Sequence, residues 1–404
     1  MKVMKLALLG TAALAAVSVS ARADDVSALK AQIEALNARM AAYEAQPAVP
    51  AGYSLLSVSK GDAHWVYGVD DASAKGDKAH LISILPTADV PASTTVEWSG
   101  YVKGAVIWHD AGAVNSASQS DWTYDAVDVR TKAGLSVKGY TDTAVGEVGA
   151  KIALQANTGW NSANGFLDGT WNGKSKSAVN TDGVSGWWKM TPELTLSAVQ
   201  GGSLAGNGQG WDGAGKAVFL GEDGGFAWDA SQLRLAYASG PIGVAIGVED
   251  ASNTTTSSAL GVAGEVTYAG DMFSAEVNAG WQGKGSSGPE TRWVVDAGLG
   301  MNLSDMFFVS VAAGMGSGHS TSDDFSKVSA VAQAHLSDSI LVELGAAKTW
   351  NEGASNDFLN YGGGIYYKPV SQLTIGLEGV VYEGQSASSF QDSTRIGLVT
   401  AFSF

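Results

Sequence analysis

The 404-residue chain has no cysteine, which removes disulfide frameworks and thiolate metal sites from consideration. It is short of charge: Asp, Glu, Lys and Arg together make up 16% of it, against roughly 25% in ordinary globular domains. Little of that charge is basic, with 24 Lys and Arg against 40 Asp and Glu. The chain therefore lacks the positive surface that displaces counterions from nucleic acid, and no nucleic-acid partner is expected. It also lacks, after its first two dozen residues, any run of about twenty apolar residues from which a membrane-spanning helix could form.

The opening segment, MKVMKLALLGTAALAAVSVSARA, holds a short apolar run from Leu6 to Val19, behind Lys2 and Lys5 and ahead of Ala21-Arg22-Ala23. A basic start, an apolar middle and a small-x-small site are the marks of a secretory signal, residues 1–23, so a mature chain beginning near Asp24 is expected. With Lys2, Lys5 and Arg22 gone, 21 basic residues remain against 40 acidic ones, a formal charge of −19. Glycine, by contrast, is abundant at 52 residues. An exported chain with few charges and no spanning helix has one route left into a bilayer, a closed barrel whose strands satisfy one another's backbone groups.

Residues 24–46 place Val26, Leu29, Ile33, Leu36, Met40 and Tyr43 at alternating spacings of three and four, behind Asp24 and Asp25. This is an a/d seam of about three heptads and predicts a short periplasmic coiled-coil helix. Residues 47–93 contain four of the eight prolines and no clear period, and read as a linker with partial structure. Within it "KGDAH" at 60–64 is nearly repeated by "KGDKAH" at 75–80. The spacing does not fit a metal site, and solvated turns are expected there instead.

From Thr94 onward, alternating stretches of about ten residues recur, separated in turn by very short and by longer Gly/Ser/Asn/Asp-rich breaks. Reading them as up and down strands gives sixteen, from 95–108 to 394–404, with GYTDT, TPE, GP, GD, LSD, SDS and VSQ as the short connections. Short turns at one end and long loops at the other are the asymmetry of an outer-membrane barrel, so the expected fold is an all-β, sixteen-stranded antiparallel transmembrane β-barrel over residues 94–404. Trp98 and Trp108 share a face of the first strand, and ten residues at about 3.3 Å each and a tilt of about 45° stand roughly 23 Å apart along the membrane normal. That matches an apolar band bounded by aromatic girdles. The terminal "RIGLVTAFSF" keeps its larger apolar side chains on one face and is expected to close the barrel against the first strand, with Phe404 toward lipid. Lys348 falls on the face expected to meet lipid, which requires that it snorkel to the rim, sit in a subunit contact, or mark a shifted register.

The other face of each strand must line water. Lys103, Arg130, Lys132, Lys151, Lys189 and Arg234 are expected to point inward from the first six strands, and Glu265, Glu276, Asp296, Glu343 and Glu378 from later ones. Unlike charges on opposing walls would carry a transverse field that orders water and favours small polar solutes. The longest break, residues 202–230, separates the fifth strand from the sixth.

The chain resembles the alphaproteobacterial porin family, among the trimeric porins of Gram-negative outer membranes. The resemblance lies in "WSGYVKGAV" at 98–106, "DAVDVRTKAGLSVKGYTDTAVGEVGAKIAL" at 125–154, "YASGPIGVAIGVED" at 237–250, "YYKPVSQLTIGLEGVVY" at 366–382 and the Phe-ended closing strand. The paired cysteines that many relatives carry before the first strand are absent. In such porins the third extracellular loop folds inward to narrow the channel, and "GEDGGFAWD" at 221–229 is similar to its acidic tip. The resemblance thus implies an eyelet with Asp212, Glu222, Asp223 and Asp229 facing a basic wall of Arg130, Lys132, Lys189 and Arg234. It also implies a homotrimer in outer-membrane lipid and lipopolysaccharide, conducting small hydrophilic solutes by passive diffusion. A substrate-selective channel for sugars or carboxylates is the alternative, with Trp187, Trp188, Trp211 and Trp228 as stacking faces. The heptad segment could add attachment to peptidoglycan. None of His64, His80, His109, His319 and His335 has a serine or acid that the sequence places beside it, so no enzyme activity and no cofactor are expected.

Overall fold

The computed structural model describes residues 56–70, 76–84, 94–111, 124–158, 178–206, 229–250, 260–283, 291–317, 324–352, 357–384 and 393–404. The expected signal segment and heptad helix lie outside the described residues. Two short strands come first, β1 (Leu56–Asp62) and β2 (Lys78–Ile84). Sixteen more follow: β3 (Thr94–Ala111), β4 (Tyr124–Thr143), β5 (Gly146–Thr158), β6 (Ala178–Lys189), β7 (Leu194–Gly202), β8 (Asp229–Ser239), β9 (Ile242–Asp250) and β10 (Gly261–Ala269) form one half. β11 (Phe273–Gln282), β12 (Arg292–Asn302), β13 (Phe307–Ser317), β14 (Asp324–Ser337), β15 (Ile340–Glu352), β16 (Phe358–Val370), β17 (Leu373–Gly384) and β18 (Ser393–Ser403) form the other.

β3 to β18 pair antiparallel with their sequence neighbours, and β18 closes on β3 from Ser393↔Ala111 to Ser403↔Tyr101. The last residue completes the seam, since Gly100 and Phe404 exchange both backbone hydrogen bonds, at 3.1 and 3.0 Å. Below Tyr101 the edge of β3 would be bare, and β2 covers it, with His80↔Trp98 through Ile84↔Thr94 in register. β1 pairs with β2 in turn, setting Lys60 opposite His80 and Asp62 opposite Lys78, whose side chains form an ion pair. The near-repeat in the sequence is thus the two arms of one hairpin.

Alternation sorts the side chains as the period of two requires. On β3, Val96, Trp98, Val102, Val106 and Trp108 are exposed on the outside, while Glu97, Ala105 and Ile107 are buried on the inside. Exposed aromatics gather at the two ends of the outer surface. Trp108, Trp281, Trp350 and Tyr361 stand near the long-loop end, and Trp98, Tyr237, Phe307, Tyr367, Phe402 and Phe404 near the short-turn end. A water-soluble fold would bury such a surface; hydrocarbon is the solvent it fits. Lys348 is on this outer face, in register with Val328 and Leu359, and its ammonium reaches toward Asp357 at the long-loop end, 3.9 Å away. The register therefore holds and the side chain snorkels to the rim.

Candidate pore and its two inserted segments

Sixteen strands spaced about 4.8 Å apart and tilted about 45° enclose a cylinder roughly 35 Å across between backbones. Side chains alone cannot fill that width, so whatever narrows the lumen must be inserted chain. Two described segments enter it.

The first is the root of the longest loop. After β7 the chain turns inward, so that Leu204 and Ala205 are buried against Ala230, Ala236, Ala245, Ala263, Val294 and Ala312 on the inner wall. Ser203 Oγ donates to the Glu249 carboxylate on β9, with oxygens at 2.7 and 3.0 Å, and accepts from the Ala205 N–H at 3.0 Å. Asn278 on β11 donates to the Gly206 carbonyl at 2.9 Å. The loop thus crosses the inner wall from β7 to β11 within five residues. Of the expected acidic tip, Asp212, Glu222 and Asp223 lie outside the described residues; Asp229 opens β8, but its side chain is not among those described.

The second segment falls within residues 47–93, which read from sequence as a linker with partial structure. Between β1 and β2, residues 63–70 enter the short-turn end of the barrel. A tight turn, with the N–H groups of Val69 and Asp70 donating to the Val66 carbonyl at 3.1 and 2.9 Å, is closed by the Val66 N–H on Asp70 Oδ2 at 2.9 Å. Gly68 has φ of 77°, and a Cβ there would stand 2.6 Å from that of Ala236, so both backbone and space demand glycine. Asp70 inserts between Lys138 of β4 and Lys151 of β5, with Lys151 Nζ 2.9 Å from Oδ1 and Lys138 on Oδ2. Burial works against the charge of Asp70, but the ammonium groups of Lys151 and Lys138 outweigh it and hold the carboxyl below its ordinary range.

The His64 N–H donates to Glu97 Oε2 of β3 at 2.9 Å. The His64 ring stacks on Tyr140 with centroids 4.3 Å apart, and its Nε2 lies 2.8 Å from Glu147 of β5. The Gly68 carbonyl accepts from Ser197 of β7 at 3.1 Å and from Arg234 of β8 at 3.3 Å. Tyr67 reaches β10, accepting from Thr267 Oγ1 at 3.4 Å. The segment is tied to the wall from β3 to β10, half the circumference.

The sequence-predicted residues divide accordingly. Lys103 and Lys132 face each other across β3 and β4 at mid-height. Arg130 lies two residues from Lys132 on β4, its side chain outside those described. Lys189 ends β6 opposite Glu147, at the short-turn mouth and away from the level of Lys103 and Lys132. Arg234 is buried and donates Nε to Gln232 at 2.7 Å, Nη1 to Gly68 and Nη2 to the Gly202 carbonyl. Lys151 is held by Asp70. Glu265, Glu276, Asp296, Glu343 and Glu378 stand on the inward parity of their strands, with Glu378 accepting from Tyr366 at 2.8 Å and Asp296 from Asn278 at 3.1 Å. The division into basic and acidic walls is less complete than expected, because Glu97 and Glu147 face inward on the basic side and Lys327 on the acidic side. Of the tryptophans considered as stacking faces, Trp188 is exposed on the outer surface, while Trp187 is buried with its N–H on Glu147 at 2.8 Å. Trp211 and Trp228 lie outside the described residues.

Among solved structures, the outer membrane channel DcaP of Acinetobacter baumannii superposes with a TM-score of 0.58 at 16% identity, over 77% of this chain and 97% of that one. This chain therefore has the fold of an outer-membrane channel. A triple mutant of the Rhodopseudomonas blastica porin superposes at 0.49 with 13% identity, over 76% of this chain and all of that one. No family model matches the chain, and no curated protein matches it.

Proposed function

We propose that the chain is an outer-membrane porin, a water-filled channel for passive diffusion of small hydrophilic solutes and ions. The observation that carries this reading is the inward course of Ser203 to Gly206 across the wall to Asn278, inside a closed barrel whose outer surface is apolar. A barrel this wide discriminates among solutes only if inserted chain narrows it. In this reading the eyelet sets Asp212, Glu222, Asp223 and Asp229 against Lys132, Arg130 and Lys103. Arg234 and Lys189 leave that wall, the first to hold inserted backbone and the second to the periplasmic mouth. The protein is a homotrimer in outer-membrane lipid and lipopolysaccharide, and the heptad segment 24–46 reaches toward peptidoglycan.

Planar-bilayer recording of the mature protein tests this. Ohmic steps that scale with bulk electrolyte conductivity, without saturable block by any member of a sugar and carboxylate panel, are expected. Saturable block by one solute would favour a substrate-selective channel, and absence of steps would remove the proposal. Deleting residues 24–46 is expected to leave the steps unchanged while loosening attachment to the cell wall.

A further inference from the structure

We infer that residues 63–70 form a fixed second constriction at the periplasmic mouth of the channel, and that Asp70 sets its charge. The inference rests on the porin reading above. Its basis is the path of the segment, which leaves the hairpin at Asp62, spans the lumen side of β3 to β10, and returns to β2. Its anchors on β4, β8 and β10, Lys138, Arg234 and Thr267, lie at most five residues from the short-turn ends of their strands. That places it within about 12 Å of the periplasmic rim, well away from the outer mouth. It is a fixed part of the wall, since its backbone and side chains are bonded to at least five different strands and Val66 is buried.

The charge at this level follows from the residues brought together. Lys138 and Lys151 are directly opposite on neighbouring strands, and Glu97 is opposite Lys138 on the other side. Of the strand carboxylates around this pair, Glu97 lies 3.7 Å from Lys138 and Glu147 stands on β5 against His64 and Trp187. Asp70, seated between the two lysines, adds a carboxylate that bonds both. On this side of the narrowed passage a solute therefore meets less positive charge than Lys138 and Lys151 would otherwise present.

The test uses single-channel recording of the full mature protein and two variants in a salt gradient. Asp70→Asn is expected to move the reversal potential toward that of the anion, because it removes the negative charge that bonds both Lys138 and Lys151. Val69→Cys supplies the only thiol of the chain, and reaction with a charged methanethiosulfonate is expected to lower every conductance step, as a group added in the narrow passage must. If the wild type conducts and neither variant changes its current, the second constriction is overturned while the porin reading stands. A wild type that does not conduct overturns both. If Asp70→Asn fails to assemble, the Val69→Cys result decides alone.

Discussion

Arg234 donates from Nη1 to the carbonyl of Gly68, 3.3 Å away, and the other end of the same guanidinium holds the carbonyl of Gly202. One buried side chain on β8 thereby ties the segment 63–70 to the root of the long loop, two insertions 134 positions apart in the chain. Both also rest on one apolar patch of the inner wall, Leu204 and Ala205 from one side and Tyr67 from the other.

Arg234→Lys is expected to loosen both insertions together. A lysine ammonium is a compact point donor and cannot span two carbonyls as the planar fork does. Each hydrogen bond from a charged donor is worth about 1.5–3 kcal/mol, so losing one of the two frees a segment. The measurement is open-channel current noise, which should rise at unchanged or larger mean conductance.

The seating of residues 63–70 depends on pH through Asp70, which faces Lys138 and Lys151 with Glu97, Glu147 and His64 nearby. Its carboxyl is held below the ordinary range in the folded protein. The stability it contributes is therefore fully present above the unfolded value of about 4 and is lost as pH falls through the lower folded value. Conductance should stay level through the neutral range and change only in strong acid, with the Asp70→Asn variant lacking that acid transition.

Substitutions on adjacent residues of β3 should differ by face. Val102 is exposed near the middle of the outer surface, and Val102→Arg should cost about 2–4 kcal/mol, as arginine does at the bilayer midplane. Lys103→Gln, one residue on and facing the lumen, should leave stability nearly unchanged while shifting ion selectivity away from anions. Urea titration of folding into vesicles measures the first and reversal potential the second.

Lys348→Ala provides a contrast. The Lys348 to Asp357 pair is separated by 3.9 Å, with both side chains partly exposed at the rim, and exposed pairs contribute about 0–1 kcal/mol. The same urea titration should show little change.

The barrel was legible in the sequence because a period of two and alternating break lengths are written into every strand. Even Lys348 fits the outer face, because it lies close enough to the rim for its ammonium to reach toward Asp357. The inserted hairpin was not legible. Its strands are seven residues each, β1 is largely exposed without alternation, and the insertion is specified by partners up to 200 positions away, such as Thr267 for Tyr67. Some of the site could have been found: Glu97 has the parity of Lys103 on β3, and Glu147 that of Lys151 on β5, so both were readable as lumen-facing. The height of Lys189 was readable too, since it precedes the short connection TPE and ends β6 at the short-turn mouth; the place of Arg234 was not, because a buried guanidinium holding carbonyls has the same sequence signature as one lining water.

β3 divides water from lipid residue by residue. Single nitroxide labels placed along residues 100–108 of the cysteine-free protein in vesicles, read for collision with oxygen and with an aqueous nickel chelate, test this most directly. Oxygen access should peak at 102 and 106 and nickel access at 101 and 103, alternating with a period of two. Equal access at consecutive positions, or an alternation of the opposite phase, would contradict it.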